Sequence, residues 1–553
     1  MSIKEHLEEL ILNRDIVSLD LSDKDLSALP KQIGELKQME ELDVSGNMLD
    51  SLPSSLAELP KLYSLNIEEN YFTSIPEIVY TLTHLTKLDA SDNEISGLSA
   101  AIGQLKKLEW LDLQQNELNS LPAELANLQA LETLNLEKNP LGELPEVVCS
   151  LAALKELDLT DIDLTELPEA IGQLKKLNWL DLSVNELGTL PDSFGQLEQL
   201  KYLDASQNQI YELPASLERL KNLRNLNLEE NPLKELPLVV CQLDDLAELD
   251  LSQTLLEQLP SDIGNLTSLK WLDLSENQLE NLPYAFQYLK TLEWLDLNQN
   301  QLEQLTEGFS KLQNLQTLNL EYNPLGELPE EVCELSQLKD LDLTATQLDF
   351  LPESIGNLKN LIRLDLSENM LDELPNSLVQ LTELEILDLK NNQLDTLIPN
   401  MDNLLSLKEL HLAYNLFADL GSNIGQLDSL RRLDLSYNQL DVLPIELTLL
   451  QNLEFINLEG NQFSRMPEEV LELQNLQALD ISDNQLSKIP KSIIQLQNLT
   501  WLDLRNNQLY SLPAELGDLK DTLQELYLDG NFFSDAECER IEGMLPNTTI
   551  SFY

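Results

Sequence analysis

The sequence predicts an α/β solenoid, a chain wound into about 23 similar coils whose short strands line up in one parallel sheet. Three observations carry this. The chain repeats every 23 residues for almost its whole length, so that WLDLSVNELGTLP (Trp179 to Pro191) returns 92 residues later as WLDLSENQLENLP (Trp271 to Pro283). Each coil contains LxxLxLxxN, and numbering that Asn as slot nine places Asn there in 19 coils; the exceptions are Lys24, Ile162, Thr254 and Thr346. The LxLxx stretch alternates apolar and polar residues as a strand does. A single coil cannot bury its apolar face, so neighbours must stack and share a core.

Each slot then has a physical task. Slots one, four and six point inward, and slot four is Leu in every coil except at Ile456. The slot-nine Asn suits a turn in which its amide serves backbone groups left by the strand's end. Slot fifteen is Pro in 18 coils, which fixes φ and blocks strand pairing on the return side. Short helical or extended segments are expected there, on the convex side of a horseshoe or superhelix. Residues 1–15 carry Ile3, Leu7, Leu10 and Ile11 at helical spacing and are expected to form an amphipathic cap. The solenoid is assigned to residues 16–533, and 534–553 to a closing helix and strand, with Ser534 and Glu537 as a capping box.

A larger period lies inside the small one. Ile162, Thr254 and Thr346 are 92 residues apart, as are Cys149, Cys241 and Cys333 and the steps Asn139-Pro140, Asn231-Pro232 and Asn323-Pro324. Residues 131–406 are therefore three copies of a four-coil unit, and duplication alone accounts for them. Length by itself would suggest about three or four domains, but no change of composition interrupts the repeat.

Net charge is −63. Nucleic-acid affinity comes from cationic side chains meeting phosphate, so that partner class is excluded, as is an anionic membrane surface. The charge favours solubility and basic partners or cations. The first dozen residues include Lys4, Glu5, His6, Glu8 and Glu9, too charged for a secretory core. No stretch has the roughly 20 apolar residues needed to span a bilayer. The cysteines fit a reducing compartment, so a cytoplasmic location is expected.

The concave face of the sheet, made by slots two, three, five, seven and eight, is where a partner is expected. All five tryptophans occupy slot three: Trp110, Trp179, Trp271, Trp294 and Trp501, with Tyr202 and Phe455 in the same column. Aromatics carry much of the energy of protein interfaces; lateral packing between coils is the alternative. Slot five is Asp in 16 coils and Asn in five, and each of those five has Glu in slot seven. The stripe reads either as an acidic track or as a structural Asp accepting hydrogen bonds from the Ser beyond it. The open sheet is expected to leave its carboxylates solvated, without shifted pKa values. Against this acidic background stands a basic and aromatic island: Arg363, Lys390, Lys408, Arg431, Arg432, His411, Tyr414 and Tyr437, with Phe417 replacing the usual Leu. It marks a second place for a partner, unless those coils have simply drifted.

Chemistry-bearing motifs are missing. The three histidines, His6, His84 and His411, fall in different coils, and no phosphate loop, nucleophile elbow or zinc-spaced cysteine pair occurs. No catalytic, cofactor or metal residues are assigned, and no enzyme is expected. The consensus LxxLDLSxNxLxxLPxxIGxLxxL, seen in Ile102 to Pro122 and Ile263 to Pro283, closely resembles the intracellular 23-residue leucine-rich-repeat class. That class includes Ras-scaffold proteins, plant Ras-group-related proteins and bacterial proteins made of repeats. The ending ERIEGMLPNTTISFY resembles the cap of the bacterial members. The resemblance implies a curved solenoid that binds proteins on its concave sheet. The expectation is thus a non-catalytic, monomeric scaffold binding a protein partner, with a basic one favoured by the charge. The alternatives are an acidic structural or cation-binding solenoid and an exported effector or surface protein.

Overall fold

The computed structural model describes residues 15–552; the N-terminal cap expected over 1–15 therefore lies almost wholly outside them. The chain forms two compact units that divide between Asn277 and Gln278. In the first, twelve three-residue strands run from β1 (Ser18–Asp20) to β12 (Trp271–Asp273), each pairing in parallel with the next. The register equals the repeat: Leu19 faces Leu42, and Leu249 faces Leu272. In the second unit β13 (Trp294–Asp296) to β24 (Thr549–Ser551) pair in the same way, with Leu295 opposite Leu318 and Leu526 opposite Ile550. Slots four and six are buried along both sheets.

The return segments are mostly 3-10 helices of three to six residues. The slot-fifteen Pro does more than block pairing. Pro30, at φ −72° and ψ 146°, sits at the helix N-cap, and its carbonyl accepts the Ile33 N–H at 3.2 Å. Pro therefore presets the entry into the turn as well as removing a donor. The IG steps bring neighbouring turns close: a Cβ on Gly172 would overlap the Ser193 carbonyl. Two α-helices occur among the described residues, α1 (Glu468–Leu471) and α2 (Asp535–Met544). Ser534 caps α2 by accepting from the Glu537 N–H. The Glu537 carboxylate does not complete the expected capping box; it accepts from the Leu512 N–H at 3.0 Å and pairs with Arg540 at 2.6 Å.

Slot nine is a ladder of buried amides. Asn47 donates to its own coil's Val44 and Ser45 carbonyls and to the previous coil's Leu21 carbonyl, each at 2.9 Å, while its Oδ1 accepts the Leu26 N–H at 2.8 Å. The duplicated departures from Asn are physically coupled. Ahead of Ile162, the turn at Asn139-Pro140 lets the Leu141 N–H bond the Asn139 carbonyl at 2.7 Å, and the Gly142 N–H reaches the Ile162 carbonyl at 2.9 Å. The missing Asn thus leaves no orphaned donor at Leu141. Thr254 and Thr346 recover one carbonyl each, at Leu251 and Leu343, both at 2.6 Å.

Slot eight carries a constraint that the letters do not advertise: it adopts the left-handed conformation in coil after coil, as at Asp92, Gln115 and Val184. Where slot nine is not Asn, slot ten does so too, at Asp25, Asp163, Leu255 and Gln347. Val184, β-branched at φ 56° and 41% exposed, is strained there. Val184→Asn is expected to stabilise the fold by about 1 kcal/mol, measured as a higher denaturant midpoint.

Candidate functional site

The open face of each sheet is built from slots three, five, seven and eight, and these differ in burial. The slot-three tryptophans Trp110, Trp179, Trp271, Trp294 and Trp501 each begin a strand and are each half-buried. Slot five is not the solvated stripe expected. Asp296, Asp365 and Asp480 are buried, and Asp503 is 0% exposed. Its Oδ1 is used locally: Asp43 accepts from the Ser45 N–H at 2.9 Å and the Ser45 hydroxyl at 2.6 Å. At Asn66, Asn135, Asn227 and Asn319 the slot-five amide donates back to the preceding carboxylate, as from Asn66 to Asp43 at 3.2 Å. The Asn substitutions thus interrupt a row of like charges and hydrogen-bond the neighbour.

Burial also shifts the carboxyls, contrary to expectation. It pushes Asp112 and Asp158 up to about 6, against the hydrogen bonds from Gln114 and Thr160 that lower them. Asp480 likewise rises to about 6. Side chains standing on the sheet on both sides of slot five exclude water, and neighbouring carboxylates add repulsion.

The aromatic column does two things. It packs laterally: Trp179 stacks on Tyr202 with centroids 5.4 Å apart and rings 7° from parallel, and Trp501 lies tilted on Tyr527 at 5.7 Å. It also walls cavities. One of about 350 Å³ lies between Trp110 and Trp179, floored by Thr133, Asn135, Glu156 and Asp158. Another, of about 180 Å³, lies between Tyr202 and Trp271 over Asn225, Asn227, Glu248 and Asp250. The two are 92 residues apart at every one of these positions. The floor residues were not anticipated from sequence; the signal was present, since Trp110 and Tyr202, and Trp179 and Trp271, are themselves 92 apart. Lys87 sits 4.2 Å from the Trp110 ring centroid, and Tyr202 donates to Asp204 at 3.3 Å. Burial and the nearby carboxylates push the Tyr202 phenol up.

The basic island resolves into paired charges. Arg363, opening β16 (Arg363–Asp365), contacts Asp340 and Asp342 at 3.4 Å and Asp365 at 2.8 Å. Lys408 pairs with Glu385 and Arg431 with Glu454, each at 2.7 Å, and Arg432 lies 3.9 Å from Glu409 and 4.6 Å from the Phe455 centroid. His411, in β18 (Glu409–His411), is 3.5 Å from Glu409. Tyr414 and Tyr437 stack at 4.3 Å in the left-handed slot eight, with Lys390 5.7 Å from the Tyr414 centroid. Tyr437 donates to Glu459 at 2.7 Å, which pushes its phenol up. Phe417 is fully buried core. The island is therefore a set of neutralised pairs under exposed tyrosines rather than a free basic patch. Among the described residues no group of three or more His, Cys, Asp or Glu side chains is placed to hold a metal ion, and no helix is long and apolar enough to cross a membrane.

Parallel coils joined by short turns, with aromatic-walled cavities on the open sheet face, define a repeat solenoid of the binding-domain class. The chain belongs to the leucine-rich-repeat family: the model of the leucine-rich repeat region matches residues 4–108, 147–207, 329–442 and 445–539, and a second leucine-rich-repeat model matches within residues 83–325. No curated protein matches the chain. Among solved structures it is similar to the plant peptide hormone receptor RGFR1 in complex with RGF2, at 26% identity and a TM-score of 0.60 over 97% of this chain and 89% of that one. It is also similar to the Arabidopsis receptor kinase HAESA in complex with the peptide hormone IDA and the co-receptor SERK1, at 28% identity and a TM-score of 0.60 over 90% and 87%. The Toll–Spatzle complex from Drosophila, at 18% identity and a TM-score of 0.59 over 98% and 89%, shares the fold.

Proposed function

We propose that this chain is a non-catalytic protein-interaction scaffold whose open sheet face docks a protein partner through the slot-three aromatics. The observation that carries this is the pair of aromatic-walled cavities in that column, at Trp110–Trp179 and Tyr202–Trp271. Half-buried aromatics held by their neighbours offer large contact area at little entropic cost, which is what interface anchors need. The receptor structures above are solved with peptide partners, which supports the reading. Cys149, Cys241 and Cys333 are buried free thiols that burial pushes up to about 11, 12 and 11; inert thiols suit a cytoplasmic protein. The test is capture of partners from the native cell by the wild-type chain and by a Trp110→Ala, Trp179→Ala double variant of matched melting temperature. Loss of two interface anchors is expected to cut recovery at least tenfold, at roughly 2 kcal/mol or more for each hot spot. Unchanged recovery contradicts the proposal.

A further inference from the structure

The four-coil duplication supplies an internal comparison. The walls and floor of the first cavity, Trp110, Glu156, Asp158 and Trp179, recur 92 residues on as Tyr202, Glu248, Asp250 and Trp271. They recur once more as Trp294, Asp340, Asp342 and Arg363. In this third copy the far aromatic is replaced, and the replacement shows what the floor accepts. The Arg363 guanidinium reaches back over the preceding coil to Asp340 and Asp342, the counterparts of Glu156 and Asp158, and bonds Asp365 in its own coil. Burial works against the charge on Arg363, and the three carboxylates hold it on.

We infer that the two cavities of the first unit are each a subsite for an arginine side chain of a basic protein partner, the ligand that Arg363 supplies from within the chain in the third copy. This rests on the docking role proposed for the open face and specifies its chemistry. Three features favour a guanidinium. A planar fork can meet the carboxylates at slots three and five together, as Arg363 does. The aromatic walls offer faces to a flat cation, and the chain uses that contact elsewhere, with Arg432 over Phe455 at 4.6 Å and Arg505 over Tyr527 at 5.4 Å. Volumes of about 350 and 180 Å³ lie near and below the lower end for small-molecule sites, roughly 300 Å³, and leave room for single side chains. The net charge of −63 draws such a partner in.

Geometry also sets the spacing. Corresponding positions lie four coils apart, roughly 19 Å at ~4.8 Å per strand, which an extended segment covers in about six residues. The partner segment therefore presents two arginines with about five residues between them.

The experiment titrates the full chain with a synthetic peptide of two arginines separated by five glycine or serine residues, followed by tryptophan fluorescence. The same peptide with citrulline in place of arginine is isosteric and uncharged, and is expected to bind at least tenfold more weakly. A Glu156→Gln, Glu248→Gln variant changes only two exposed charges, so general attraction to an acidic surface survives in it; a tenfold loss is expected nonetheless. Trp179→Arg, which installs the internal plug of the third copy, is expected to lower affinity to a similar degree. Equal affinity for the two peptides, or arginine binding unaffected by both variants, overturns the assignment. If the Trp110→Ala, Trp179→Ala variant loses its native partner while the arginine peptide fails to compete for it, the docking face stands and the arginine subsites fall; if that variant keeps its partner, both fall.

Discussion

Asn208→Ala is expected to destabilise the chain by roughly 3–5 kcal/mol. Asn208 is 3% exposed. Its amide donates to the Leu182, Ala205 and Ser206 carbonyls at 2.9, 3.2 and 2.9 Å, and its Oδ1 accepts the Leu187 N–H at 2.9 Å. Alanine leaves four backbone groups without that partner, in a core that excludes the water needed to replace it. Asn208→Thr separates the contributions. A threonine here regains one carbonyl, as Thr254 does with Leu251, but it cannot serve Leu187. The natural threonine coils avoid that loss because the preceding Asn-Pro turn redirects the donor: the Leu233 N–H bonds the Asn231 carbonyl at 2.9 Å. Residue 186 is Glu, its N–H already bonded to the Leu164 carbonyl, so the redirected turn is not available. Hydrogen exchange is expected to show the Leu187 amide unprotected in both variants, while Ile210, held by Asn231, stays protected. A melting transition for Asn208→Ala within 1 kcal/mol of wild type would contradict the ladder's assigned role.

The second large effect is a stability that rises as the solution is acidified from pH 7.5 towards pH 5. Asp158 and Asp480 move from 3.8 in the unfolded chain to about 6 in the folded one. Between those values the folded state binds more protons than the unfolded state, so stability falls with increasing pH across that window. Each carboxyl would be worth about 3 kcal/mol in full, reduced to roughly 1–2 kcal/mol by screening at the sheet surface. Groups held below their ordinary value act in reverse, losing stability as pH falls through their folded pKa. These include Asp20, lowered by Ser22, and Glu537, lowered by Arg540. Asp20 is exposed and Glu537 partly buried, and both act at lower pH. Asp480→Asn isolates the effect. Asn in slot five already accepts from slot seven elsewhere, as Asn66 does from the Glu68 N–H at 2.9 Å. The variant is therefore expected to raise the melting temperature at pH 7.5 and to leave it unchanged near pH 4. A wild-type melting temperature that falls steadily from pH 7.5 to pH 5 would contradict the buried-carboxylate account.

Much of this was legible in the letters because a repeat turns spacing into position. The strands, their 23-residue register and the slot-nine hydrogen bonds follow from LxxLxLxxN alone, since period and alternation leave one way to stack the coils. What was not legible depends on neighbours across coils rather than along the chain. The burial of slot five, with Asp480 bonded to the Ser482 hydroxyl and Asp503 paired with Arg505, is not encoded in the alternating pattern. The island looked basic because Arg363, Arg431 and Arg432 stand out in sequence, whereas all but one of their acidic partners, Asp365, lie one coil away. The cavities escaped notice because their floors, such as Glu156 and Asp158, are ordinary repeat residues made special by aromatics on neighbouring coils. The left-handed slot eight was hidden by its tolerance of residues as different as Gly46, Val184 and Tyr437.

The central claim, that a partner sits on the open sheet face, is tested most directly by site-specific photo-crosslinking. A benzophenone side chain at Tyr202, in the slot-three column, is expected to capture the partner from the native cell, and one at the exposed return-side Tyr211 is expected to capture none. Capture from Tyr211 with none from Tyr202 would place the interface on the opposite side of the coil and contradict the account.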